Sequence, residues 1–169
     1  HKRINQLILV GGLGLTGFIL GMELKLAVIE SPLIEMESIR VENLDHFFEV
    51  SQASADYSHT VSWIDVVSSG KAMGRGIFMR GRYAGVDADE SSSVLSKAAE
   101  WASPLLDVPV NGPNWLMNSV TMRLFNEAYF RKHPKGMVSS VVHYEPFFFP
   151  LDFVKNWNRI YGQRGMLQY

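Results

Sequence analysis

Five glycines fall between positions 11 and 21, in Gly11-Gly-Leu-Gly-Leu-Thr-Gly17 and again at Gly21. An apolar run, residues 7–10, lies before them, and an alternating segment, residues 22–28, lies after. Each glycine costs about 1 kcal/mol relative to alanine inside a helix, so this segment restricts the fold more than any other. Three architectures accommodate it. Residues 5–22 are eighteen uncharged positions containing the small-xxx-small spacing Gly17-Phe-Ile-Leu-Gly21, the pattern of a membrane span. Met22, Leu24, Leu26 and Val28 fall on one face with Glu23 and Lys25 on the other, which is strand periodicity and argues against that span.

Gly12-Leu-Gly14-Leu-Thr-Gly17 also matches the G-x-G-x-x-G of a dinucleotide-binding βαβ unit, with Glu30 ending the next apolar run. That reading predicts a helix from about Leu15 to Leu24. Only eight residues, 18–25, separate Gly17 from the apolar run beginning at Leu26, whereas a βαβ crossover needs about ten or more. The third reading is strand, turn, strand: residues 7–10 run in, the glycines turn, and residues 18–29 run out. Bare backbone in such a turn can approach a phosphate, or it can simply close a hairpin; spacing does not separate these two.

The remaining sequence predicts α+β architecture, an antiparallel sheet with helices packed on one face. Strands are expected at 33–41, with a β-bulge near Ser38 where the apolar parity switches, and at 59–66, 76–83 and 137–144. Asn43 is placed to cap a helix through Phe47, Phe48 and Val50. A longer helix is expected over 114–131, with Leu116, Val120, Leu124 and Ala128 in one row and Met117, Phe125 and Tyr129 beside it. Residues 84–93 read as a loop. Pro150 is placed to open a short helix carrying Val154, Trp157 and Ile160.

Composition excludes several chemistries. There is no cysteine, hence no disulfide, thiolate metal site or thiol nucleophile within these residues. Sixteen Lys and Arg against seventeen Asp and Glu give a net charge of −1, without the basic field that nucleic-acid binding requires. The five histidines, His1, His46, His59, His133 and His143, form no metal-ligand spacing. Lys71, Arg75, Arg80 and Arg82 form a basic region that reads either as a phosphate attractor or as a solvated face. Pro146-Phe-Phe-Phe-Pro150 is too aromatic for a surface loop and reads as core or as the wall of an apolar site.

Gly11-Gly-Leu-Gly-Leu-Thr-Gly17 resembles the GGxGLTG segment ending the FAD domain of vanillyl-alcohol-oxidase / p-cresol-methylhydroxylase-type flavoproteins. Several further motifs resemble the decaprenylphosphoryl-β-D-ribose 2′-oxidases and their bacterial relatives: Ser62-Trp-x-Asp65, Gly74-Arg-Gly76, Arg80-Gly-Arg82, Pro150-Leu-Asp152, Trp157-Asn-Arg159, Tyr161-Gly162 and Gly165-x-Leu-Gln-Tyr169. The resemblance runs from about Gly11 to Tyr169 and implies a middle fragment of a two-domain, FAD-linked oxidase. Residues 1–30 would be the last β-hairpin of the FAD domain. Residues 31–169 would be the first part of the substrate domain.

By that resemblance Gly12, Gly14, Thr16 and Ile19 lie against non-covalent FAD, and Trp63, Phe148, Leu151 and Gln168 on the substrate side. The implied reaction oxidises a secondary alcohol of a sugar or polyprenyl-phosphate sugar, a short-chain reductase being a natural partner. The implied location is cytoplasmic and peripheral to the inner membrane, with no transmembrane helix. Relatives carry Tyr-His where this sequence has Phe148-Phe149, so a hydroxyl near the substrate is replaced. The catalytic residues of such oxidases fall outside this chain, which is therefore expected to be inactive and flavin-free alone, and to self-associate through exposed sheet edges.

Overall fold

The computed structural model of the chain describes residues 15, 17–85, 106–113, 115–150 and 154–164. Its centre is a four-stranded antiparallel sheet of β1 (Leu33–Val41), β2 (His59–Ile64), β3 (Gly76–Tyr83) and β5 (Met137–His143), in the order β2-β3-β1-β5. The α+β class with an antiparallel sheet is therefore what these residues adopt. β1 and β3 have the expected bounds, while β2 and β5 stop short of 66 and 144.

No bulge interrupts β1. Its pairing is one-to-one from Ile34 opposite Tyr83 to Val41 opposite Gly76, and from Leu33 opposite His143 to Ile39 opposite Met137. The change of parity has another cause: β1 is an inner strand and buries side chains on both faces. Ile34 packs with Phe147 around Gly81, where an added Cβ would come within 2.5 Å of the Ile34 methyl. Ile39 shares the other face with Phe78, whose ring meets Phe47 edge-on at 5.5 Å.

Helices reach both faces, not one as expected. α1 (Leu44–Gln52) brings Phe47 to the Phe78 face, and Asn43 caps it by accepting from the His46 amide at 2.9 Å. α2 (Ser119–Lys132) and the short α3 (Tyr144–Phe148) lie against the opposite face. Two-sided covering follows from β1 and β3, which present apolar groups on both sides of the pleat.

α2 begins five residues later than predicted. Asn118 caps it, accepting from the Val120 and Thr121 amides at 2.8 and 3.1 Å, while the Thr121 hydroxyl accepts from the Asn118 amide. This reciprocal capping box satisfies otherwise orphaned donors. The predicted inward row is also wrong: Val120 and Leu124 are exposed, whereas Asn126 and Phe130 are buried. The rotation of the helix is set by its polar partners, described below, rather than by its count of apolar residues.

Residues 17–29 contain neither helix nor strand. The helix required by the dinucleotide reading is absent from 17–24, and no helix among the described residues is long and apolar enough to cross a membrane. The expected outgoing strand is absent too. Leu20 and Val28 are almost wholly exposed, and the run expected to pair with this segment, residues 7–10, lies outside the described residues.

The expected helix after Pro150 is replaced by other structure. Val154 belongs to β6 (Val154–Lys155), which pairs in parallel with β4 (Leu106–Asp107). Residues Trp157–Arg164 form tight 3-10 turns broken at Gly162, whose φ of 62° is left-handed. Arg159 decides this path: its guanidinium donates to the Val108 and Pro109 carbonyls, while its own carbonyl accepts from the Gly112 amide at 2.7 Å.

Candidate functional site

Alternation along β2 places His59, Val61 and Trp63 on the face that α2 and α3 cover, and Thr60, Ser62 and Ile64 on the other. α2 carries Tyr129 to Trp63, their rings meeting at 4.7 Å and 62°. α3 carries Phe148 to His59, at 5.1 Å and 85°, and Tyr83 meets the same imidazole at 5.2 Å. Two aromatic walls thus stand at opposite ends of β2, about 14 Å apart at roughly 3.4 Å per residue. Between them the register lines up Val61, Met79, Ser38 and Val138 across the four strands. This is a mostly apolar stretch of sheet bounded by aromatic rings.

Trp63 and Phe148 share one face of the sheet and stand at its two ends. Phe147, not Phe148, is the buried member of the aromatic triplet, and Phe149 is exposed. Ile19 is half-exposed and lies in the irregular segment. Gly12, Gly14, Thr16, Leu151 and Gln168 lie outside the described residues.

Tyr129 is a titratable group of this face. Burial raises its hydroxyl above the usual tyrosine range, so it remains protonated at neutral pH. Phe125 stacks on it at 6.2 Å and His133 lies 5.4 Å away on the same helix face.

A buried polar cluster holds the Tyr129 wall in place. Asp65, just after β2, is 2% exposed. It accepts from Arg75 Nε and Nη2 at 2.9 and 2.8 Å, from Asn126 Nδ2 at 2.6 Å, and from the Val67 amide at 3.1 Å. Burial alone pushes the Asp65 carboxyl up, but these donors outweigh it and leave it below the usual range. Arg75 also pairs with Glu127 at 2.7 Å, and its guanidinium lies 4.7 Å from the centre of Phe130. Asn126 and Glu127 thus fix which face of α2 turns inward.

A second polar cluster lies on the other face. Glu37 accepts from the Tyr57 hydroxyl at 2.8 Å and from Arg80 Nε at 2.7 Å, which lowers its carboxyl. Arg80 and Arg82 both lie over the Tyr57 ring, at 4.4 and 4.5 Å. The basic region is thus not simply solvated: Arg75 and Arg80 are taken up by carboxylates, while Lys71 and Arg82 are exposed. A shallow groove of about 520 Å³ runs beside this cluster, lined by Glu35, Glu37, Tyr57, Arg82 and Ser139. No cluster of metal ligands occurs among the described residues.

Comparison with known proteins bears directly on the motifs. No family model matches the chain. This chain is similar to a decaprenylphosphoryl-beta-D-ribose oxidase. That protein, from Mycolicibacterium smegmatis, is 32% identical over 162 residues, which is 95% of this chain but only 35% of the relative. The chain therefore spans about a third of the length of the oxidase it matches. The resemblance read from the glycine segment and the carboxy-terminal motifs is borne out over nearly the whole sequence.

Sequence reasoning missed the partners that build the face. Tyr129 was assigned to a helix but not to Trp63, and His59 was not joined to Phe148. The strand parity of His59, Val61 and Trp63 carried part of this information. The pairing of Asp65 with Arg75 and Asn126 joins residues up to 61 apart in sequence and had no local signal.

Proposed function

We propose that this chain is part of an FAD-dependent oxidoreductase that oxidises a secondary alcohol of a sugar or polyprenyl-phosphate sugar. The observation that carries this reading is the 32% identity to an oxidase of a lipid-linked ribose along 95% of the chain. The described residues fit the ring end of a flavin better than its phosphates, because the β2 face is apolar and flanked by aromatic rings. The phosphate end is assigned to Gly12, Gly14 and Thr16, with Ile19 beside the cofactor, and the substrate side to Trp63, Phe148, Leu151 and Gln168. Bound FAD supplies the two-electron chemistry, N5 accepting hydride from the alcohol carbon.

In this reading the chain's own residues orient the substrate and exclude water. Trp63, held by Tyr129, forms one wall, and Phe148, held against His59, forms the other. The neutral hydroxyl of Tyr129 adds no charge to the dry surface. Residues 1–30 are assigned to the FAD domain and 31–169 to the substrate domain. A short-chain reductase acting on the keto product is the proposed partner, and the proposed location is cytoplasmic, beside the membrane that holds the lipid substrate. The 169-residue piece by itself is proposed to be inactive.

The test is anaerobic mixing of the complete protein with a polyprenyl-phosphate pentose. Bleaching of the flavin's visible band, one sugar alcohol consumed per flavin, is the expected result. Trp63→Ala should slow the bleaching at saturating sugar by about tenfold or more, the scale expected when a positioning wall is lost. A flavin band unchanged by any sugar alcohol contradicts the proposed substrate class.

A further inference from the structure

Arg40 on β1, Ile77 on β3 and Trp63 on β2 stand directly opposite one another and form one row across the sheet. Successive residues of α2 cap the two ends of that row. Tyr129 meets the Trp63 ring at 4.7 Å, and the Arg40 guanidinium lies over Phe130 at 4.0 Å. Ile77, the middle member, is wholly buried. Ring contacts of this kind tolerate sliding and tilting. The contact that fixes an angle is polar: Asn126, one turn before Phe130 and buried, donates from Nδ2 to Asp65 Oδ1 at 2.6 Å. Asp65 follows Trp63 by two residues, so strand and helix meet at two neighbouring points, Trp63 with Tyr129 and Asp65 with Asn126.

The apolar content of α2 pulls against this arrangement. Val120 and Leu124 are exposed among the described residues, while Asn126 is buried. Rolling the helix to bury Val120 and Leu124 is favoured by the hydrophobic effect alone, and a roll of one residue step, about 100°, takes Tyr129 off Trp63. The bond from Asn126 to Asp65 opposes that roll. We propose that Asn126 is a positioning residue for the reaction: its hydrogen bond to Asp65 sets the roll of α2, Tyr129 follows, and the Trp63 indole is held in the orientation that the substrate meets. This inference rests on the proposed place of Trp63 on the substrate side of the flavin. Asn126 itself touches neither substrate nor flavin and acts through Tyr129 and Trp63.

Two readouts on the complete, FAD-loaded protein separate this role from a loss of stability. The first is optical and independent of turnover: Asn126→Ala should shift the tryptophan emission, and the shift should vanish in a Trp63→Phe background. The second is anaerobic bleaching of the flavin by a saturating polyprenyl-phosphate pentose. Asn126→Ala should slow it by about tenfold, the scale of a small misplacement of a positioning group. Added to Trp63→Ala it should cost less than about twofold more, because residues acting through one group are not additive, whereas independent losses would multiply to about a hundredfold. Tyr57→Phe, which removes a hydrogen bond on the other face of the sheet, should move neither readout. If circular dichroism shows Asn126→Ala unfolded, Tyr129→Leu replaces it; this variant spares Asn126 and Asp65, and the same emission shift and the same silence in the Trp63→Ala background are expected. Unchanged emission, unslowed bleaching or multiplying losses would each overturn the proposal. An emission shift in a protein whose unmodified form is not bleached would overturn the proposed reaction and still support Asn126 as the residue that holds Trp63.

Discussion

The two faces of the sheet each carry an arginine–carboxylate cluster, and the two are built differently. Asp65 is almost wholly buried, receives four hydrogen bonds, and ties a helix to the sheet from 61 residues away. Glu37 lies on β1 facing Arg80 directly across in register, with its side chain 25% exposed, and its other donor, Tyr57, comes from the turn after α1. The first cluster determines tertiary structure: it selects the face of α2 that turns inward and so brings Tyr129 to Trp63. The second reinforces a pairing that the strand register already provides. Burial and sequence separation, rather than the residue types, make the difference.

The largest effect is expected from Asp65→Ala. Removing the carboxylate leaves Arg75 and Asn126 without their acceptor in a buried site, which should cost about 3–5 kcal/mol in urea unfolding. It should also release α2, seen as a change in tryptophan fluorescence that is lost in a Trp63→Phe background, the chain having four tryptophans. A loss near 0.5 kcal/mol would show that the cluster does not orient the helix. Tyr57→Phe, on the other face, should cost about 1 kcal/mol, the usual worth of a hydrogen bond, with no change at Trp63. Equal losses for the two variants would show that the two clusters anchor the fold alike.

Acid provides a third comparison. Asp65 and Glu37 both have folded pKa values below their unfolded ones. Their stabilisation is complete above the ordinary carboxylate range of about 4 and is lost as pH falls through the lowered folded values. Unfolding free energy should therefore be nearly flat above about pH 5 and fall below about pH 4. Asp65→Asn should shallow that fall more than Glu37→Gln, and the reverse order would contradict the assignment of the buried cluster as dominant. The smallest effect is expected at Lys71, a solvated side chain, where Lys71→Ala should change stability by less than about 0.5 kcal/mol.

Legibility in the sequence followed the range of the interactions. β1 and β3 were readable because period-two apolar patterning and the turns around them are local, and Asn43 was readable because a cap acts within three residues. The inward face of α2 was not readable, because Asn126 and Glu127 find their partners on the strands and override Val120 and Leu124. The parity switch in β1 imitated a bulge because both faces of an inner strand are covered. Residues 22–28 alternate as a strand should, yet alternation makes a strand only where another backbone pairs with it. For the candidate site, Trp63 and Phe148 were reached through motif resemblance, while Tyr129 and His59, which hold them, emerged only from the packing of α2 and α3 on the sheet.

Whether these residues come from a flavoprotein is decided by the visible spectrum of the complete protein, purified and then titrated with FAD. Flavin absorbance is expected in the purified protein, or its appearance at one FAD per chain with quenching of tryptophan fluorescence. A colourless protein that leaves added FAD unperturbed would contradict it.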